Sequence, residues 1–448
     1  MRGTAACRWW LACAALACLA TGCWRQPEQQ GSKNQESGTP AASRTPATSV
    51  TLTVGLGDDP QLRSAIEVLA GEWRELSGGG FEIVEPAADG AAAETDLLIF
   101  SPVQLGELCE EGALRPVRDS TLASDALAFD DFYPAVRDQL LRYGGRTMAL
   151  PIGCVTPVVA TTSEEPVQWD AVGYFPFVTR ESPSGMPRPA WQLLARAAPL
   201  AVDDLRESVL FNPETMAPAI ESPPFVAALA QLVDAAQLKA GPTTAALRTP
   251  FRDGVLSDEP AVWTHAQTPP GAPRRYDAVR SDWVSVSGPP RRVSLVGVDG
   301  RLIGVTAGSR NAAAAFRLAA WLAGKSNARQ LSVAGPHVAN VRRSLSRSSD
   351  NWLGIGGAGL GREVALAADQ SWQSEHQLPV PRLIEAERYL AVLDEAVKQA
   401  AGGSASPEDA LRRASERWDE LTDEVGRERQ RRCYLRHLGL DQYAPPKR

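Results

Sequence analysis

The stretch VTLTVGLGDDPQLRSAIEVLAGEWRELSGGGFEIVE, residues 50–85, constrains the fold more than any other part of the chain. Val50, Leu52, Val54 and Leu56 alternate with smaller or polar residues, the two-residue period of a half-buried strand. GDDP breaks the alternation. Leu62, Ile66, Leu69, Trp73 and Leu76 then recur at spacings of four, three, four and three, which predicts one apolar face of a helix. Gly78, Gly79 and Gly80 stop that helix, FEIVE predicts a second strand and DLLIF (Asp96 to Phe100) a third. Strand, helix, strand with short loops is the pattern of an α/β fold. In open α/β sheets ligands gather at the carboxyl ends of the strands. The loops GDDP (Gly57 to Pro60) and SPVQ (Ser101 to Gln104) lie there, so Asp58, Asp59 and Ser101 are candidate ligand contacts. Asp58 and Asp59 fit helix N-capping ahead of Pro60 equally well.

Upstream, Arg2 and Arg8 precede the apolar run WWLACAALACLA (Trp9 to Ala20), which is shorter than the roughly 20 residues a membrane span needs. Ala20, Thr21 and Gly22 lead into Cys23. This arrangement resembles the bacterial lipoprotein box, with Ala20 in the place usually held by a branched residue; an ordinary secretory signal cut nearby is the other reading. The resemblance implies a signal peptide over 1–22 and a lipid-modified Cys23. Residues 23–49, rich in Gln, Ser, Thr, Pro and Gly, have no apolar period and are expected to form a flexible linker. The remaining body of roughly 400 residues has room for two domains.

Composition excludes some classes. A net charge of −7 argues against a nucleic-acid binder that relies on phosphate attraction. The one basic run, GRERQRRCYLRH, reads as a solvated helix face. Of seven cysteines, Cys7, Cys13 and Cys18 leave with the signal and Cys23 is the lipidation candidate, so Cys109, Cys154 and Cys433 remain and allow at most one disulfide. His265, His337, His376 and His437 are scattered without metal-ligand spacing, so neither metal nor cofactor is expected. GIGGAG (Gly354 to Gly359) satisfies a dinucleotide fingerprint but lacks the strand before it and the acidic residue after it, and reads as a glycine loop. No nucleophile elbow is present, and nothing else supplies a catalytic nucleophile, base or metal cluster.

Further along, SPPFVAALAQLVDAAQLKAG predicts a helix marked by Phe225, Leu229, Leu232 and Leu238, with Gly241 as its stop. The segment SEEPVQWDAVGYFPFVTRESPSGMPRP has no period and reads as loop or irregular strand. The last third is helical. Phe316, Ala320 and Ala323 share a face near Trp321. In SASPEDALRRASERWDELTDEVG, Ser406 is the N-cap, Pro407 the first helical residue and Asp409 closes a capping box, ahead of a buried stripe of Leu411, Ala414, Trp418, Leu421 and Val425. Trp73, Trp321 and Trp418 fall on apolar stripes and belong to the core. Trp169, Trp263, Trp352 and Trp372 sit in polar or Gly/Pro-rich surroundings, where a flat indole could stack on a sugar ring, and are candidates for an exposed platform.

Several stretches in order resemble the extracellular solute-binding proteins of bacterial ABC importers, the sugar-binding group. FYPAVRDQLLRYGGRTMALPIGCVTPVVATT is similar to that family's helix, its strand reading G-x-x-x-A-L-P and the crossing to a second lobe. PAWQLLARAAPL is similar to its P-x-T-W-x-E-L-L-x-x-A helix start. AAFRLAAWLAGKSNARQLSVAGPHVANVRRS and AERYLAVLDEAVKQAAGGSASPEDALRRASERWDEL resemble its returning segment and its terminal helix pair. The chain departs from the family at Ala160, Thr161 and Thr162, where a Tyr-Asn pair is usual.

The resemblance implies a two-lobed periplasmic-binding-protein fold of type II with a helical C-terminal segment. Residues 50–160 would open lobe 1, residues 161–290 would be mainly lobe 2, and residues 291–448 would return to both. It also implies a monomeric, non-enzymatic receptor, anchored to the membrane and facing the periplasm, that closes on a small solute, a sugar or oligosaccharide, and delivers it to ABC permease subunits. A polyamine receptor, and an envelope interaction protein that keeps the fold without a transport ligand, are the alternatives.

Overall fold

The opening strand and its neighbours do pair, and the computed structural model describes residues 50–86, 95–174, 188–202, 208–237, 245–248, 263–334, 341–347 and 358–442. β1 (Thr51–Leu56) pairs in parallel with β2 (Gly80–Val84) on one side and β3 (Leu97–Phe100) on the other. A much later strand, Gly300–Val305, inserts antiparallel between β3 and Leu150–Cys154 and completes a five-stranded sheet. The carboxyl ends of β1, β2, β3 and Leu150–Cys154, and the amino end of Gly300–Val305, therefore share one edge.

The predicted helix after β1 is two helices, α1 (Pro60–Val68) and α2 (Ala70–Ser77), meeting at Leu69. Leu62, Ile66, Leu69 and Trp73 are buried as the spacing predicts, but the break turns Leu76 outward and leaves it 66% exposed. Gly78 ends α2 with φ of 72°, a left-handed cap that a side chain would strain. The Trp73 ring lies 5.3 Å from Trp321 of helix Ala312–Leu322, so the two stripes meet in one core.

A second sheet has Val158–Thr161 at its centre, antiparallel to Ala245–Arg248 and to His265–Gln267. Strand Ser294–Val296 pairs in parallel with Gln377–Pro379. Helices Pro189–Ala201, Pro223–Gln237, Ala386–Ala401 and Pro407–Val425 pack on one another. The Ser406 hydroxyl accepts from the Asp409 amide at 3.1 Å, as the capping sequence predicts. Leu411, Ala414, Trp418 and Leu421 are buried. The basic run forms helix Arg427–His437. It is only partly a solvated face, because Gln430, Cys433, Tyr434 and His437 are buried. Cys109, Cys154 and Cys433 are buried, and no disulfide joins them. Leu238, Gly241, His337 and most of GIGGAG lie outside the described residues. Among the described residues no helix is long and apolar enough to cross a membrane.

Candidate functional site

At the shared strand edge a cavity of about 440 Å³ opens, lined by Gly57, Asp58 and Asp59 after β1 and by Phe100, Ser101 and Gln104 at the end of β3. Glu107 and Glu111 of helix Leu105–Glu110 and its cap, together with Arg301, close it. Strand ends expose unpaired carbonyls, and two of these are already satisfied. Arg63 of α1 donates to Ile83 O at 3.1 Å and to Leu56 O at 3.4 Å.

Asp59 is the most constrained group in the cavity wall. Its Oδ1 accepts from the Leu62 amide at 3.1 Å, which makes it the N-cap of α1 ahead of Pro60. Its Oδ2 lies 2.8 Å from Arg301 Nη2. Asp59 thus both caps a helix and ties β1 to the returning strand, while its neighbour Asp58 is exposed at the cavity mouth. Ser101 starts a capping box: its amide donates to Gln104 Oε1 at 2.9 Å, which holds the loop after β3 in place. Burial, then the nearby Glu111 and Glu385 carboxylates, raise the pKa of Glu107 above the usual carboxylate value. Such a wall offers hydroxyl-binding acceptors from Asp58, Glu107 and Glu111 and amide donors from Gln104. It presents one guanidinium, already half-committed to Asp59.

Asp58, Asp59 and Ser101 are therefore brought together as the strand-end argument expected. The tryptophans are not. Trp169, Trp263 and Trp372 are 7%, 3% and 2% exposed, which corrects their expected place on an exposed platform. Arg196 covers Trp169 at 4.8 Å, Arg248 covers Trp263 at 5.8 Å and Tyr133 stacks on Trp372 at 6.2 Å. Polar local sequence misled here, because burial is set by what the fold brings over a ring and not by its chain neighbours. Trp352 and Cys23 lie outside the described residues. Gln104, Glu107, Glu111 and Arg301 were missed. The S-x-x-Q spacing of Ser101 and Gln104 is a local capping signal that could have flagged Gln104, whereas Arg301 reaches Asp59 only through sheet topology.

A second polar cavity, of about 410 Å³, lies beside the three-stranded sheet. There His265 Nδ1 is 3.1 Å from Glu363 Oε1, and Glu363 Oε2 accepts from the Ala266 amide at 2.9 Å. No group of three or more metal-ligating side chains occurs among the described residues.

Substitutions at Asp59 separate its two roles. Asp59→Ala removes cap and ion pair and should cost about 2 kcal/mol; Asp59→Asn keeps a capping oxygen and should cost less. Urea unfolding midpoints at unchanged slope measure both, and equal losses would assign the whole effect to Arg301.

The fold is that of the two-lobed solute-binding proteins of ABC transporters. It is similar to the sugar-binding protein MalE of Xanthomonas citri, at a TM-score of 0.60 and 14% identity, over 84% of this chain and 98% of that one. An ABC substrate-binding protein of Listeria monocytogenes in complex with cycloalternan matches at 0.57 and 13% identity, over 84% and 99% of the two chains. A solute-binding protein of Agrobacterium radiobacter K84 in complex with ribitol matches at 0.55 and 18%, over 83% and 98%. By sequence, no family model and no curated protein matches the chain.

Proposed function

We propose that this chain is an extracytoplasmic receptor for a polyhydroxylated solute, a sugar or oligosaccharide, tethered through a lipid on Cys23. The observation that carries the reading is the strand-end cavity, where Asp58, Ser101, Gln104, Glu107 and Glu111 put carboxylate and amide groups at one edge. That is the chemistry that grips sugar hydroxyls, in a fold whose solved neighbours include proteins bound to ribitol and cycloalternan. In this reading the five-stranded sheet is the centre of lobe 1 and the three-stranded sheet belongs to lobe 2. The lobes hinge shut on the solute, and ABC permease subunits read the closed form. Tethering raises the receptor's effective concentration near the permease.

Melting temperature of the body from Val50 onward, followed against mono- and oligosaccharides, polyols, polyamines, peptides and anions, tests the assignment. A ligand at 100 times its dissociation constant stabilises by about 2.7 kcal/mol. The expected result is a shift with one class of sugar or polyol that Gln104→Ala abolishes. A second reading, a receptor for a cationic solute such as a polyamine, draws on the four carboxylates, Asp58, Asp59, Glu107 and Glu111, that line the cavity against Arg301 alone. A shift with amines only would favour it over the sugar. A flat response across the panel would sink both and point to an interaction protein without a transport ligand.

The tether has its own test. The full chain expressed in a bacterium is expected to sediment with membranes and to take up labelled palmitate, and Cys23→Ala to abolish the label. Label retained in Cys23→Ala would place the lipid elsewhere.

A further inference from the structure

Away from the strand-end cavity lies a larger one, of about 590 Å³. The helical turn Ala135–Leu140 and the hairpin 142–147 form one wall, and strand Gln377–Pro379 and helix Arg427–His437 the other. Three guanidiniums line it: Arg142, Arg382 and Arg436. Their partners differ in kind. Arg436 is neutralised by Glu110 at 2.8 Å and by Asp441 at 3.1 Å.

Arg382, only 2% exposed, has neutral acceptors instead. Nη1 donates to the carbonyls of Gln139 at 2.8 Å and Leu140 at 3.1 Å, Nη2 to the carbonyl of His437 at 2.7 Å, and Nε to His437 Nδ1 at 3.0 Å. The side chain is held in place, yet none of these partners carries a countercharge. Arg142 likewise spends Nη2 on the Gly145 carbonyl at 2.8 Å. The lining carboxylate Asp138 is engaged by Arg137 at 2.9 and 3.0 Å, and the remaining one, Glu375, is exposed at the rim. Among the described residues, then, no carboxylate lies within ion-pair distance of Arg382 or Arg142, and the lining itself carries three guanidiniums against two carboxylates.

His437 adds a directed donor. A guanidinium can only donate, so His437 Nδ1 must accept from Arg382, and the imidazole proton is forced onto Nε2. Burial, and secondarily the Arg382 charge, holds the imidazole pKa well below its ordinary value, so the ring stays neutral and keeps this tautomer. His437 is 6% exposed and lines the cavity, and no described residue accepts from its Nε2. The Tyr434 ring stacks on it at 5.7 Å and fixes its plane. Leu378, Val209 and Leu210 provide an apolar floor, and Gln139 and Gln442 provide amides that can turn to donate.

We propose that this cavity is a second binding site, separate from the solute site, for a small oxyanion, a carboxylate or a phosphate, received by His437 Nε2–H and by Arg382 and Arg142, the two guanidiniums that have no carboxylate partner. An anion here would supply the countercharge that Arg382 lacks, and hydrogen bonds to a charged acceptor are the stronger kind. Either oxyanion suits these donors, and the two are told apart by which one saturates at the lower concentration.

The test titrates the whole body with orthophosphate and, separately, with acetate, at constant ionic strength held by chloride. It follows the His437 imidazole nitrogens by long-range proton–nitrogen NMR. With four histidines in the chain, the His437 signals are assigned by their absence in His437→Gln. The expected result is a saturable shift of His437 Nε2 with one of the two anions, alongside a rise in melting temperature. In Arg142→Met the apparent dissociation constant should weaken about tenfold, the loss of one charge-assisted contact. The melting response should disappear in His437→Gln. Arg382→Met removes the charge outright but endangers folding, so Arg142→Met and His437→Gln carry the test. A non-saturating response, or a melting shift equal in wild type and both variants, would overturn the proposal. The response to solute should be unchanged in both variants, so failure here leaves the solute-receptor reading intact, and the reverse.

Discussion

Trp418→Ala should be among the most destabilising single substitutions in this chain, costing about 3–5 kcal/mol. The indole is 1% exposed and stacks on Phe211 at 5.0 Å with its plane tilted 21°. Tyr389 meets it edge-on at 5.4 Å, and its Nε1–H donates to the Tyr389 carbonyl at 2.9 Å. Alanine would leave a cavity where helices Ala386–Ala401 and Pro407–Val425 meet and would remove the side-chain hydrogen bond between them. Both losses fall on the same helix pair, so relaxation around one cannot repair the other. Trp418→Phe retains most of the ring contact and loses only the hydrogen bond, so it should cost about 1–2 kcal/mol. Thermal and urea unfolding of the body read both, and a loss under about 1 kcal/mol for the alanine variant would refute the placement of this ring at the centre of the helical layer.

Gly106→Ala is the second large expected effect. A Cβ built on Gly106 would lie 1.9 Å from the Arg382 carbonyl oxygen and 2.5 Å from its carbon. Both are backbone atoms in the segment whose side chain is tied to Gln139, Leu140 and His437, so they cannot swing aside. The helix must move away, breaking the packing of Cys109 and the Glu110–Arg436 ion pair, at a cost of about 3 kcal/mol or more. Gly71→Ala supplies the contrast. It lies in α2, a Cβ there meets nothing within 4 Å, and alanine should stabilise by about 0.5–1 kcal/mol through helix propensity. The same chemical change should thus lower the melting temperature at one glycine and raise it at another. Equal effects at both would mean that the close approach of helix Leu105–Glu110 to Arg382 does not exist.

These expectations rest on features that differ in how far they could be read from the chain. Gly78, Ser406 and the alternation of Val50 to Leu56 act on residues within about four positions, and their outcomes match the reading of the sequence. Asp59 was legible as a cap for the same reason. Leu76 was misread although the local period was sound, because the helix breaks at Leu69 and the later turn rotates away from the core. Trp169, Trp263 and Trp372 were misread for the opposite reason. Their neighbours in sequence are polar, but Arg196, Arg248 and Tyr133 arrive from elsewhere to cover them.

The succession of β1, a helical stretch, β2 and β3 along the chain, the caps at Asp59, Gly78 and Ser406, and the strand-end position of Asp58, Asp59 and Ser101 could be read from the residues alone, since each depends on short-range periodicity and hydrogen bonding. Nothing local places Gly300–Val305 beside β3, where it brings Arg301 to Asp59; nothing local buries the three candidate tryptophans, or sets Arg382 and His437 in the wall of one cavity. These are contacts between segments far apart in the chain, chosen by which apolar faces and buried polar groups satisfy one another, and no local pattern encodes that choice.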